Sequence, residues 1–216
     1  MTAAVKKAAI MAIKTGEATL VCLRPEELLA DMTDAAKDEM VQLARNGCPS
    51  QGSMDIFVEP EIPQPELLVC GSGPVASALL WIAASFGFSL VLCGEIEHAI
   101  ADRQYASLDE KCSASLPAVD RYIVVATQGE GDVAALQAAL KMAASYVAFV
   151  GSRRKFASYD DKLTETGVSA AEIATVRSPA GVHINAVTPD EIALSIMAEI
   201  IQTRRTARQQ RVADDT

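Results

Sequence analysis

The chain has 216 residues, is 50% hydrophobic but only 5% aromatic, and so must fill one good core and an appendage with Ala, Leu, Ile and Val. A formal net charge of -9 repels the phosphates of nucleic acid and excludes it as a partner. Cys22, Cys48, Cys70, Cys93 and Cys112 are odd in number and show no Cys-x-x-Cys spacing, which excludes a disulfide framework and a structural zinc site.

In chain order, residues 1–15 form a short helix with Val5, Ile10, Met11 and Ile13 as its apolar positions and Lys6, Lys7 and Lys14 exposed. Lys14 and Glu17 arrive too soon for a signal peptide, and the expected location is cytoplasmic. Thr19 to Leu23 is a small strand, a helix runs from about Asp34 to Arg45 and stops at Asn46-Gly47, and Met54 to Glu59 is extended. Prolines at 60, 63 and 65 rule out helix and make a stiff linker. The expected organisation is an N-terminal appendage over 1–59, a linker over 60–66, a main domain over 67–205 and a polar tail over 206–216.

Glu66 to Glu95 carries no charge between its two glutamates. The apolar run Leu67–Cys70, the turn Gly71-Ser72-Gly73, an Ala/Leu/Ile-rich helix to Phe86, the break at Gly87 and the apolar run to Cys93 make a βαβ crossover with parallel strands. Glycines, a proline and serines fall where such a unit turns, so this is no membrane span.

The spacing Gly71-x-Gly73-x-x-Ala76 is a variant of the dinucleotide fingerprint. Gly71 allows the tight turn, Gly73 lets phosphate approach the backbone, and Ala76 keeps helix and strand close. Pro74 suits the first helical turn because it has no N–H to leave unpaired, and the free amides around it, at Ser72, Gly73 and Val75, offer an anion seat. At the end of the second strand, Glu95 alone could hold a ribose hydroxyl; an ordinary solvated loop carboxylate is the alternative. Cys70 and Cys93 end neighbouring strands; they are either small buried hydrophobes or thiols facing a soft metal or sulfur centre, and no metal site is assigned.

Beyond Glu95, residues 99–103 continue a helical turn and residues 111–114 form a short edge strand, with His98 on a surface segment. Tyr122 to Ala126 is a buried strand ending at Thr127, Asp132 caps the next helix, and Tyr146 to Val150 is a further buried strand ending at Gly151. Ser152-Arg153-Arg154-Lys155 then sets cations at a helix start, where they oppose the dipole. An anionic ligand gripped by guanidinium would compensate; the alternative is that some of the three simply point into solvent or pair with Asp160 and Asp161. Gly167 ends one helix and Ser169 starts the next, and Thr188-Pro189-Asp190-Glu191 is a capping box. The last helix, to about Arg204, buries Ile192, Ile196 and Ile200, widened by Leu194, Met197 and Ile201. The fold class is α/β: a Rossmann-like, doubly wound, mainly parallel sheet with a small N-terminal α+β appendage.

Residues 57–76 (FVEPEIPQPELLVCGSGPVA), 146–155 (YVAFVGSRRK) and 178–201 (SPAGVHINAVTPDEIALSIMAEII) together resemble the XdhC/CoxI family, accessory proteins of molybdenum hydroxylases, in order as well as spacing. The resemblance implies a molybdenum-cofactor chaperone in short form, lacking the family's Gly- and Cys-rich N-terminal motif. Such a protein receives molybdopterin or its dinucleotide form, helps its sulfuration and delivers it to a xanthine- or CO-dehydrogenase-type enzyme. The implied partners are that client enzyme and a cysteine desulfurase, with a homodimer compatible. Carried over, the cofactor contacts are Gly71, Gly73, Ser152, Arg153 and Arg154, with Thr127 and Asp132 near the same edge. The chain departs from the family at Gly94-Glu95-Ile96, where Asp-Pro-Arg is common, and at His183, where the family has an acid.

Two further readings compete. One is a small NAD(P)- or flavin-dependent oxidoreductase using the same turn, opposed by the lack of a tyrosine-lysine pair or other redox machinery beside the motif. The other is a structural or regulatory protein whose cleft binds nothing. On balance the chain reads as a carrier rather than an enzyme, with no catalytic residue assigned.

Overall fold

The computed structural model describes residues 3–25, 41–45, 52–109, 112, 115–129 and 131–213. The chain divides into two units, Met1–Ile62 with Arg205–Thr216, and Pro63–Arg204.

In the first unit, helix α1 (Ala3–Thr15) accompanies a three-stranded sheet of order β2-β1-β3, with β1 at Thr19–Arg24, β2 at Val41–Arg45 and β3 at Met54–Val58. Strand β1 is parallel to β2 and antiparallel to β3. The helix buries Val5, Ala8 and Ala12, whereas Ile10 and Ile13 are exposed, so the buried stripe follows the small residues and not the larger apolar ones. Residues 41–45 are strand and not helix: the β1 ladder claims the segment VQLAR, whose Gln and Arg also suit a helix. The rest of the expected 34–45 helix lies outside the described residues.

The second unit holds a five-stranded parallel sheet of order β6-β5-β4-β7-β8. Its strands are β4 (Glu66–Cys70), β5 (Ser89–Cys93), β6 (Arg103–Tyr105), β7 (Arg121–Val125) and β8 (Tyr146–Phe149). Every residue of β4, β7 and β8 is buried, as parallel strands covered on both faces require. Leu67, Val69, Leu90, Leu92 and Val124 face α2 (Pro74–Ala83) and the first half of α7 (Pro189–Ala213). Leu68, Val91, Ile123, Val125 and Phe149 face α3 (Asp132–Lys141) and the short helices α5 (Asp160–Glu165) and α6 (Ala170–Ile173). A further short helix, α4 (Arg153–Ala157), follows β8. This is the doubly wound α/β arrangement.

The chain builds outward from β4 to β5 and β6, then returns to lay β7 against the other side of β4. Between β4 and β7 lies the topological switch point, where open α/β sheets bind ligands at their carboxyl ends. At the opposite edge, Glu66 is fully buried between Arg121 Nε at 2.5 Å and Arg103 Nη2 at 2.6 Å. Glu66 therefore opens β4 instead of closing the linker.

The edge strand falls at Arg103–Tyr105, and Cys112, inside the expected 111–114 strand, is helical. His98 is buried, its Nε2 2.9 Å from Ser77 Oγ, because the 94–101 connection folds back onto α2. Leu194 is 53% exposed and does not widen the stripe made by Ala193, Ile196, Met197 and Ile200. The last helix continues past Arg204 to Ala213. Thr188 and Glu191 form the expected capping box, with Thr188 N donating to Glu191 Oε2 at 2.9 Å and Glu191 N to Thr188 Oγ1 at 3.3 Å. No helix among the described residues is long and apolar enough to cross a membrane.

Candidate functional site

The candidate site is a row of connections along the carboxyl edge of the sheet. After β4, Gly71 takes φ +132°, and a Cβ there would stand 2.3 Å from the Ala126 carbonyl oxygen. A side chain is thus excluded twice, by conformation and by the close approach of β7. Gly73 is the N-cap residue of α2 and Pro74 opens that helix, so the amides that follow have no capping side chain. Ala76 is 1% exposed, which lets α2 lie close to the sheet.

Ser72 links this turn to β5: its Oγ accepts from the Glu95 amide at 3.2 Å. Glu95 is exposed beside the turn, at the end of the second strand. Gly94 is packed there, since a Cβ would lie 2.7 Å from Ser72 Oγ.

On the β7 side, Asp132 is the first residue of α3 and not its cap; Gly131 holds the N-cap position and makes no side-chain hydrogen bond. The Asp132 side chain is 1% exposed and ties the loop down instead. It accepts from the Thr127 hydroxyl, from the Gly129 amide at 3.0 Å and from the Tyr159 hydroxyl at 2.8 Å, and it pairs with Lys155 Nζ at 2.8 Å. Burial pushes this carboxyl up, but Lys155, both hydroxyls and the Gly129 amide outweigh it and hold it below the usual carboxylate range. Lys155 is raised in turn by Asp132.

After β8, Gly151 fits under the Phe149 ring, where a Cβ would stand 2.4 Å from a ring carbon. Ser152 caps α4 by accepting from the Lys155 amide at 3.2 Å. Of the three cations, Lys155 is satisfied by Asp132, whereas Arg153 and Arg154 are exposed and no described residue pairs with either. Neither Asp160 nor Asp161 closes on them among the described residues.

Two features escape a reading of the sequence alone. A lysine-tyrosine pair does stand beside the motif, because Lys155 and Tyr159, one turn apart, both reach Asp132. The second is Gln128, which takes φ +58° and lays its carboxamide against Gly73, where a Cβ would meet Nε2 at 2.5 Å. The dipeptide Gln128-Gly129 signals a turn, yet only the β4–β7 adjacency brings it onto the glycine turn.

Cys70 and Cys93 pair in register, and Cys93 Sγ lies 3.8 Å from Cys112 Sγ, all three buried. Cys70 and burial raise the Cys93 thiol, and burial pushes Cys112 up to about 12. All three face the apolar layer under α3 rather than the crevice, and the raised Cys93 and Cys112 thiols stay protonated. No group of three or more metal-ligating side chains occurs among the described residues. His183 is exposed in the loop before α7.

A parallel sheet of this strand order, with a glycine turn and a crossover loop meeting at its switch point, defines a Rossmann-type domain. Residues 67–200 match the family described as the XdhC Rossmann domain, and the chain belongs to that family. It is 29% identical over 180 residues to YqeB of Escherichia coli (strain K12), spanning 77% of this chain and 33% of that protein. It is 26% identical over 161 residues to a probable xanthine dehydrogenase subunit of Bacillus subtilis (strain 168), spanning 70% of this chain and 46% of the relative. The crystal structure of a xanthine dehydrogenase from Bacillus halodurans shares the fold with a TM-score of 0.55 at 23% identity, over 71% of this chain and 46% of the other. The chain thus spans less than half the length of these relatives.

Proposed function

We propose that this chain is an accessory factor that binds the molybdenum cofactor, as molybdopterin or its dinucleotide form, and assists its sulfuration and insertion into a xanthine- or CO-dehydrogenase-type hydroxylase. Membership of the XdhC family and kinship with a component of xanthine dehydrogenase support the accessory role. The single observation that carries cofactor binding is the pair of exposed arginines, without a partner among the described residues, on the sheet edge that also holds the glycine turn at a helix N-terminus.

The cargo is a phosphorylated pterin, an anion. The residues fit such a group: Gly73 has no side chain of its own, the amides of Ser72, Gly73 and Val75 are donors, and the exposed Arg153 and Arg154 have no partner among the described residues and can grip phosphate oxygens. Thr127 and Asp132 act through the loop they fix, and Gly151 with Ser152 sets the start of the arginine-bearing helix. Glu95 sits where a ribose hydroxyl of a dinucleotide form could be held. The client hydroxylase, a cysteine desulfurase and a second copy of the chain are the partners this role requires or allows.

The Lys155–Tyr159 pair favours one competing reading, a nucleotide-dependent oxidoreductase using NAD(P). A tyrosine general acid-base needs a depressed pKa, however, and here burial and Asp132 raise that of Tyr159. Its hydroxyl is also engaged as a donor to Asp132. The carrier reading is the better supported.

Purification from a host that makes molybdopterin, followed by metal analysis and pterin fluorescence, tests it. Co-purifying pterin is the expected result. Tight NAD(P) binding with turnover and no pterin would overturn it.

A further inference from the structure

We propose that Gln128 is a ligand-binding residue of the anion seat, donating its carboxamide N–H to the anionic group held over Gly73; this rests on reading the glycine turn as that seat. The backbone supplies the first argument. Gln128 sits at φ +58°, a left-handed conformation that side chains other than Gly, Asn or Asp rarely adopt, between Thr127 and a glycine at φ +111°. That conformation is fixed from both sides, because Asp132 accepts from the Thr127 hydroxyl and from the Gly129 amide. Strain over-determined by its surroundings is a feature of sites that hold a group in place for a ligand.

The side chain supplies the second. A Cβ at Gly73 would stand 2.5 Å from Gln128 Nε2, 2.7 Å from Cδ and 3.2 Å from Oε1, so the whole carboxamide lies on the glycine's open face. No hydrogen bond among the described residues holds it there. Gln128 is exposed. A neutral donor is thereby poised on the glycine turn, able to swing aside and meet an entering anion. A neutral carboxamide also suits a site that already sets arginines on the same edge, since it adds a directional contact without more positive charge.

Equilibrium titration with inorganic pyrophosphate tests the role in the full chain and in Gln128→Ala, Gln128→Glu, Gln128→Gly and Gly73→Ala. Gln128→Ala is expected to bind about tenfold more weakly, and Gln128→Glu more weakly still, because an anion then faces an anion. Gln128→Gly relieves the left-handed strain, so it is expected to melt at an equal or higher temperature while losing the same affinity. That split separates a ligand contact from a structural one. If Gly73→Ala loses binding but Gln128→Ala binds pyrophosphate as tightly as the parent chain or more tightly, Gln128 is a bystander or a cover and the inference falls while the seat stands. If the parent chain itself does not bind pyrophosphate, the seat falls and the inference with it.

Discussion

Lys155 Nζ lies 2.8 Å from Asp132 Oδ2, joining the loop after β7 to the helix after β8. One buried carboxylate thus sets the geometry of two neighbouring strand-end connections, with Thr127, Gly129 and Tyr159 as its other donors. Asp132→Ala would leave those donors without their acceptor and is expected to cost about 2–4 kcal/mol, discounted for the 37% exposure of Lys155. The pH dependence follows from the lowered carboxyl. Its stabilisation is fully present above the ordinary carboxylate value of about 4 and is lost as pH falls through the depressed folded-state value. Urea titrations between neutral pH and pH 3 should show a steeper acid loss in the parent chain than in the variant. Parallel curves would assign the acid limb to other groups.

The two glycines of the turn should separate folding from binding. Gly71→Ala places a methyl 2.3 Å from a backbone carbonyl at φ +132°, and the expected cost is about 3 kcal/mol or more. Gly73→Ala meets only the end of the flexible Gln128 side chain, with an extended backbone at φ -85°. It should fold with a loss of about 1 kcal/mol or less while binding of an anionic ligand drops. Chemical denaturation alongside titration reads both quantities, and equal destabilisation of the two variants would contradict the packing described.

Legibility in the sequence tracked how local the cause was. The run Leu67–Cys70, Gly71-x-Gly73, Pro74 and the next apolar run revealed strand, turn, helix and strand because each signal lies within the element it specifies. The helix start at Ser169 and the capping box at Thr188 were legible for the same reason. Residues 41–45 were not, since it is pairing with β1 that makes them a strand. His98 was misplaced on the surface because its burial comes from folding back onto Ser77, and Leu194 was misplaced in the core because an apolar residue one position off the stripe faces solvent. At the site, the glycine turn and the arginines were visible, whereas the Asp132 cluster and Gln128 depend on which strands become neighbours.

Arg153 and Arg154 carry no structural duty that is visible around them. The double variant Arg153→Ala/Arg154→Ala should stay within about 0.5 kcal/mol of the parent chain in stability. Its affinity for pyrophosphate should fall by about tenfold or more, since charge-assisted contacts are the strong ones. Unaltered affinity in equilibrium titration would remove both residues from the site.

Glu66 should matter to the fold and not to the ligand, because it lies at the amino end of β4, across the sheet from the crevice. Its carboxylate is fully buried and satisfies Arg121, itself 8% exposed, and Arg103, which also donates to Ser89 Oγ at 3.2 Å. Removing the acid strands two cations, one of them inside the protein, where solvent cannot take over the lost contact. Glu66→Ala is therefore expected to cost about 3–5 kcal/mol, and Glu66→Gln less, since an amide still accepts from one arginine. Any variant that folds at low temperature should bind pyrophosphate like the parent chain. A Glu66 variant that kept full stability but lost binding would reverse this division of the sheet into a structural amino edge and a ligand-bearing carboxyl edge.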